Sequence, residues 1–485
     1  MYKKKTDFKS QLLQRYQIQI VSIATFFFSL SIYCFTLYPE VDVADSAELS
    51  LQSYQLGVTH PPGYPVHTIL GYILVFFFDD PAIATNLLSA LCTSGSIGIM
   101  SLFIFHLTGN KYSAFFVPAM FSLTPRIWGM GITTEVYNIN LLILSTSIFC
   151  IYRWTKNYSN KALFLSAALY GISFGSYLAN ALLFPAFSYL ILKKTKFRFK
   201  TVFLFSVVVT IFSSLLLMYS YFRAKSLPPI GTLYLPTSTG DAIKYFSGQQ
   251  YGTTELFDFS FYTNRIFQHM NIFSKNYLYL VSFFGLGGIY ILWKRSKNLT
   301  IFFLLVLGIN LGYFTFYKPG DYYMMVNPSH YVFTLFIAIC FDRFYKRNVY
   351  FKNVSLVIIL LTSFILLVYQ FPKRYKRSTS YPVTSFSVES LQKFPPNSIV
   401  ICDWYKLTPL LFFQKTKGLR NDCLIIQRVK ESRYYDNVEV ESYITAIESQ
   451  ITSRPIIIDS VEAEVLKKYE IYELDSLWYR IEPSK

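Results

Sequence analysis

Apolar runs long enough to cross a bilayer alternate along the chain with short basic clusters, a pattern that predicts a multi-span helical protein. After a basic start, residues 1–17, the first run extends from about Ile18 to Tyr38, roughly the 20 residues a span needs. No small-residue cleavage site follows it, so it reads as a retained span with the N-terminus cytoplasmic. Val66 to Phe78 is apolar but short, about 13 residues, and suits an interfacial or half-embedded helix. Runs at 82–107, 112–130, 132–152, 162–177, 179–193, 201–222, 276–293, 299–317, 329–345 and 353–370 bring the expected total to about eleven spans. With Val66–Phe78 kept out of the count, the N-terminal lysines, Arg153/Lys156/Lys161, Lys193 to Lys200, Lys294/Arg295/Lys297 and Arg343/Lys346/Arg347/Lys352 share the cytoplasmic side. The loop 39–81, the long loop 223–275, the turn at Lys318–Tyr323 and everything after residue 371 then lie outside a cell (inner) membrane.

From about Phe371 the pattern changes. Short apolar runs at Ser398–Cys402, Asp422–Ile426, Pro455–Ile458 and Glu470–Tyr472 alternate with helical stretches such as Val438–Ile451. The expected fold is an all-α polytopic membrane domain over 18–370, with interfacial helices, followed by an extracytoplasmic α/β domain over 371–485.

Composition agrees: of 485 residues 53% are hydrophobic and 15% charged, too apolar for a soluble chain of this size. The net charge of +17 does not indicate nucleic acid, because the cations sit between apolar runs and not along one soluble face. Cys34, Cys92, Cys150 and Cys340 fall in apolar spans, whereas Cys402 and Cys423 pair only if their strands are adjacent. Zinc spacings, a phosphate-binding glycine loop and a G-x-S-x-G elbow are all missing, which argues against nucleotide-driven chemistry at the cytoplasmic face.

Candidate chemistry concentrates in the loop 39–81. A helix starting at Asp45 places Asp45, Glu48, Gln52 and Gln55 on one face and Ala47, Leu51, Tyr54 and Val58 on the other, lying in the interface with its acids away from lipid. Gly57 can end it, and His60-Pro61-Pro62-Gly63-Tyr64-Pro65 then makes a stiff turn that fixes His60. Asp45-Ser46-Ala47-Glu48 reads either as a capping box or as a pair of working carboxylates. Arg126 and Glu135, at an outer turn, form a structural ion pair or serve function. Arg223 is a phosphate fork or a snorkelling anchor.

Asp45-Ser46-Ala47-Glu48-Leu49, Gly57 and His60-Pro61-Pro62-Gly63-Tyr64-Pro65, directly after the first span, resemble the signature of the transmembrane protein O-mannosyltransferase-like family, a branch of the GT-C glycosyltransferases. Trp128 and Glu135-Val136-Tyr137 extend the resemblance, as does Gly171-Ile172-Ser173-Phe174-Gly175, although Ser176 to Asn180 stand where relatives often carry a histidine. The resemblance implies a GT-C membrane domain and an inverting sugar transfer, with mannose one candidate sugar. The donor would be a polyprenyl or dolichyl phosphate sugar, and the acceptor a protein, lipid or glycan hydroxyl. On that reading Asp45 is the general base, Glu48 or Glu135 orients the acceptor or holds a divalent cation (Mg or Mn) with Asp45, and His60, Arg126 and Arg223 meet the donor phosphate. Gly57, Pro61, Pro62, Gly63 and Tyr64 shape the loop. The rival reading, a transporter or flippase of lipid-linked sugars, would use the same acids for coupling; no convincing internal repeat supports it. A scaffold with an outer binding domain leaves the proline-rich loop without a purpose.

Overall fold

The computed structural model describes residues 2–226, 238–247, 259–317, 322–428, 433–435, 438–440, 447–448, 450–451, 453–461 and 463–483. Pro228–Pro229 and Gln249 to Gly252 of the long outer loop 223–275, and Lys318 to Asp321 of the outer turn, lie outside these residues.

In chain order, α1 (Tyr2–Phe35) leads into α2 (Asp45–Gln55), α3 (Pro65–Val75) and the long α4 (Pro81–Thr108). The chain returns through α5 (Lys111–Ser122) and α6 (Pro125–Met130), then runs back along α7 (Val136–Asn157). Next come α8 (Asn160–Phe174), a 3-10 turn at Leu178–Leu183, α9 (Phe184–Lys194) and α10 (Phe199–Ser226). After α11 (Thr239–Ser247) follow α12 (Phe259–Asn276), α13 (Leu280–Arg295), α14 (Lys297–Thr315), α15 (Tyr322–Met325), α16 (Asn327–Tyr345) and α17 (Val349–Ser378). α18 (Pro382–Lys393) opens the C-terminal region, which holds β1 (Ile399–Cys402), α19 (Trp404–Lys417), β2 (Leu424–Gln427), β3 (Arg433–Tyr435), β4 (Val438–Val440), β5 (Ile456–Ile458), α20 (Ala463–Lys468), β6 (Tyr469–Asp475) and β7 (Trp478–Pro483).

Among the described residues six helical stretches are long and apolar enough to span: Tyr16–Phe35, α4, α7, α10, α14 and the stretch from Val349. The pair α12 and α13, bent by 103°, makes a seventh if taken as one span. The expectation of about eleven is therefore corrected. Proline and loop breaks cut the apolar runs: 112–130 divides at Leu123–Thr124 ahead of Pro125, and 179–193 begins as a 3-10 turn ahead of Pro185. The resulting pieces, such as α5 with 12 residues and α9 with 11, reach only about 16–18 Å at 1.5 Å per residue. Val66–Phe78 is short as expected, α3 having 11 residues.

The helices form one bundle with a continuous apolar core that includes Tyr33, Trp128, Tyr170, Phe187, Phe303 and Phe336. Small residues permit its closest approaches. A Cβ at Gly288 of α13 would overlap the Phe336 carbonyl of α16, and one at Gly285 would overlap the Phe333 ring.

The C-terminal sheet has the order β2-β1-β5-β7-β6, with β1 parallel to β2 and β5 while β7 runs antiparallel to β5 and β6. All four strand positions read from the sequence are found; β7 went unread. Val438–Val440, expected to be helical, instead pairs with Arg433–Tyr435 as an antiparallel ribbon, as its alternating Val-Glu-Val suggests. Cys402 and Cys423 are both free thiols. Their strands are adjacent, but Cys402 stands opposite Gln427 at one end of β1 while Cys423 meets Ser398 at the other, which prevents pairing.

Candidate functional site

The site is built on the loop between α1 and α3. α2 begins at Asp45 after Ala44, whose φ of 58° is a backbone conformation that a side chain disfavours. That turn is held from the C-terminal region: Thr408 of α19 donates its hydroxyl to the Ala44 carbonyl at 2.8 Å. No side chain caps α2, so the capping-box reading fails. Glu48 turns instead toward the proline-rich turn, where it accepts from the His60 backbone N–H at 2.6 Å and pairs with His60 Nδ1 through its other oxygen. Glu48 is 3% exposed, and burial pushes its carboxyl pKa upward against the opposing pull of His60.

Asp45 is placed differently. Its side chain is 40% exposed; Oδ1 accepts from the Trp404 indole N–H at 3.0 Å, and Oδ2 lies 3.8 Å from His60 Nε2. The His60 ring meets Trp404 and Tyr64 edge-on at 6.1 and 5.3 Å. Both oxygens of Glu48 face His60, so Asp45 and Glu48 do not fit the shared cation site expected of them, and among the described residues no cluster of three or more His, Cys, Asp or Glu could hold a metal ion.

The acids do not lie in an open interface. Ala47 and Leu51, on the face expected to meet lipid, are buried in a core shared with Leu407, Leu410 and Leu411 of α19. The helix ends at Leu56, which takes the left-handed conformation (φ 51°) expected of Gly57. Gly57 serves close approach instead, since a Cβ there would collide with the Gln52 carboxamide. Gly63, at φ 74°, does use its freedom, and Tyr245 of α11 packs against it while donating to the Thr59 carbonyl. The Pro61–Pro62 peptide is cis.

Arg223 donates to the carbonyls of Leu56 and Gln55 at 2.7 and 3.4 Å, closing the C-terminus of α2. Arg126 lies on α6 over the Tyr323 ring at 5.1 Å and makes no ion pair with Glu135. Its Nη1 has no hydrogen-bond partner among the described residues, and burial lowers its pKa to about 10. Its charge acts on two buried histidines, His269 of α12 and His330 of α16. His330 stacks on Phe273 at 3.9 Å, and among the described residues neither of its ring nitrogens has a hydrogen-bond partner. Glu135 stands at the start of α7, its backbone N–H on Ser89 at 3.4 Å. Beside it Thr134 joins Thr85, Asn86 and Ser50 in a buried network that ties α2, α4 and this turn together.

Sequence reasoning missed Trp404, Glu40, Tyr245, His269 and His330. Trp404 follows a strand run, Ile399–Cys402, at the carboxyl end where α/β folds gather functional groups. His330 is an ionisable group inside an apolar run. Those signals could have found both.

The chain is similar to known proteins in sequence over part of its length and in fold over most of it. Residues 45–201 match the protein O-mannosyl-transferase TMEM260 N-terminal domain. The mouse protein O-mannosyl-transferase TMEM260 is 29% identical over 161 residues, 33% of this chain and 23% of the relative. The Dictyostelium discoideum protein of that name is 32% identical over 135 residues, 27% and 16%. The match thus spans less than a quarter of either relative's length. In structure the chain is similar to ArnT from Cupriavidus metallidurans in the apo state, with TM-score 0.65 at 10% identity, covering 95% of this chain and 96% of that one. For ArnT bound to undecaprenyl phosphate the TM-score is 0.59, also at 10% identity, with 95% and 97% covered. The stretch that carries Asp45, Glu48, His60, Arg126 and Glu135 is thus similar to the N-terminal domain of TMEM260-like protein O-mannosyl-transferases, on a multi-pass membrane chain with the fold of ArnT.

Proposed function

We propose that this chain is an integral membrane glycosyltransferase that moves a sugar, mannose by analogy with its relatives, from a polyprenyl or dolichyl phosphate donor to an acceptor hydroxyl of a protein, lipid or glycan. The observation that carries this reading is the contrast within one helical turn. Glu48 is sealed against His60, whereas Asp45 is fixed through one oxygen by Trp404 and keeps an exposed side. An oriented, accessible carboxylate is what a general base requires.

The acceptor oxygen attacks the anomeric carbon from the face opposite the phosphate. As the new C–O bond forms, the bond to the phosphate oxygen breaks and its electron pair leaves with the polyprenyl phosphate, inverting the centre. Asp45 takes the acceptor proton. Arg126, a half-buried cation whose Nη1 has no hydrogen-bond partner among the described residues, meets the phosphate as charge develops on it. His60 and Arg223, bound to the loop, act by shaping it. Glu135 is left to orient the acceptor. The loop and the C-terminal domain face the outside of the cell membrane, consistent with basic clusters at the other end of the bundle.

Transfer from radiolabelled polyprenyl phosphate sugars, measured in membranes with wild type and Asp45→Asn at matched expression, tests this. We expect the variant to lose at least about 100-fold in rate while donor binding persists. Equal transfer by both removes Asp45 as the base; donor crossing the bilayer without transfer establishes the transporter reading instead.

A further inference from the structure

A second polar cleft lies at the opposite end of the bundle. α4 runs from Asn86, in the hydroxyl network of the site, to His106, a separation of about 30 Å over 20 residues at 1.5 Å each. α7 likewise runs from Glu135 to Arg153. At that far end a cavity of about 330 Å³ opens between α4, α7, α13 and α14. Arg153, Lys156 and Arg295 line it above an apolar floor that includes Leu292 and Leu299.

Two features mark the cleft, although Lys156 and Arg295 are themselves exposed. The first is construction. Arg153 is half-buried and donates to His106 Nε2; the other ring nitrogen, Nδ1, donates to the Leu102 carbonyl at 2.8 Å, and Tyr152 donates to the His106 carbonyl at 3.0 Å. Lys156 lies over the Tyr152 ring at 5.5 Å. The second is the missing counter-charge. Asp342, a buried carboxylate at this end, is held by Lys346 at 2.8 Å and Asn110 at 3.0 Å, and among the described residues no carboxylate lies within ion-pair distance of Arg153, Lys156 or Arg295.

We propose that this cleft binds the phosphodiester headgroup of an anionic membrane phospholipid, away from and independent of the transfer site. Three cations converge on a volume that accepts a phosphodiester, and the apolar floor takes the glycerol and upper acyl carbons at the depth where helix ends meet the bilayer interface. A free phosphate would share the cationic part and gain nothing from the floor.

Native mass spectrometry of the full chain, exchanged into phosphatidylglycerol and phosphatidylcholine in turn, tests the site. Wild type should retain phosphatidylglycerol preferentially, and Arg153→Gln/Arg295→Gln should lower that retention at least tenfold, at about fivefold per cation removed. Arg153→Lys should keep most of it, because the charge remains. Lys156→Gln/Arg295→Gln, which spares the half-buried arginine, is the variant to use should Arg153→Gln not fold. Equal retention by wild type and the charge-removing variants overturns the proposal. So does competition by millimolar inorganic phosphate, which would make the ligand a free anion.

Discussion

Asp45 and Glu48 stand one helical turn apart and occupy different media, which divides their roles. The Trp404 indole is the only side-chain hydrogen bond recorded on Asp45 among the described residues, and a hydrogen bond to a charged group is worth about 1.5–3 kcal/mol. Trp404→Phe keeps the ring and removes the donor; it should lower kcat roughly tenfold or more with donor KM unchanged, a split that steady-state kinetics resolves. Glu48 gives a pH signature. Because burial raises its pKa above the ordinary 4.5, the folded chain holds this proton at pH values where the unfolded chain has lost it. Its contribution to stability is fully present below pH 4.5 and declines as pH rises through the raised value. Thermal unfolding in detergent from pH 4.5 upward should show this decline in wild type and a flatter profile in Glu48→Gln.

At the scale of elements, the position of α2 follows from what closes its two ends. Thr408 holds the strained Ala44 turn before it, and Arg223 collects the carbonyls after it. Neither partner is near α2 in sequence, which is why Asp45–Gln55 was legible as a helix while its surroundings were not. The period of three and four gave the acid face correctly; the opposite face read as lipid-facing because an apolar residue looks the same whether it meets lipid or α19. The α13–α16 contact belongs to this scale as well. Gly288→Ala should force the two helices apart against the Phe336 carbonyl and cost about 1–3 kcal/mol, measurable as a lowered unfolding midpoint in detergent.

Across the whole molecule, the C-terminal region and the membrane bundle share one core at the site. Val41, Ala47, Leu51 and Ala82 pack with Val383, Leu407, Leu410 and Leu411. Polar contacts lock the same seam: Glu40 accepts from the N–H groups of Val383 (3.0 Å) and Thr384 (2.6 Å) at the start of α18, and Arg377 pairs with Asp42. Glu40 is 3% exposed, so its charge is compensated by that helix start and not by water. Glu40→Gln should weaken the seam by about 2–3 kcal/mol. Limited proteolysis should then cleave the loop 39–44 faster than in wild type, and transfer should fall with it, since Trp404 reaches Asp45 only across this seam.

The sequence by itself determined the membrane class, the helical start at Asp45, the short α3 and four strands of the terminal sheet, because each follows from local periodicity and run length. It also marked the residues to watch, Asp45, Glu48, His60 and Arg126. Only the tertiary structure decided which carboxylate is sealed and which is open, that Arg223 serves α2, and that a tryptophan 359 positions further along orients Asp45. Burial and hydrogen-bond partners are set by segments that meet in space, and no local pattern encodes which distant segment will arrive.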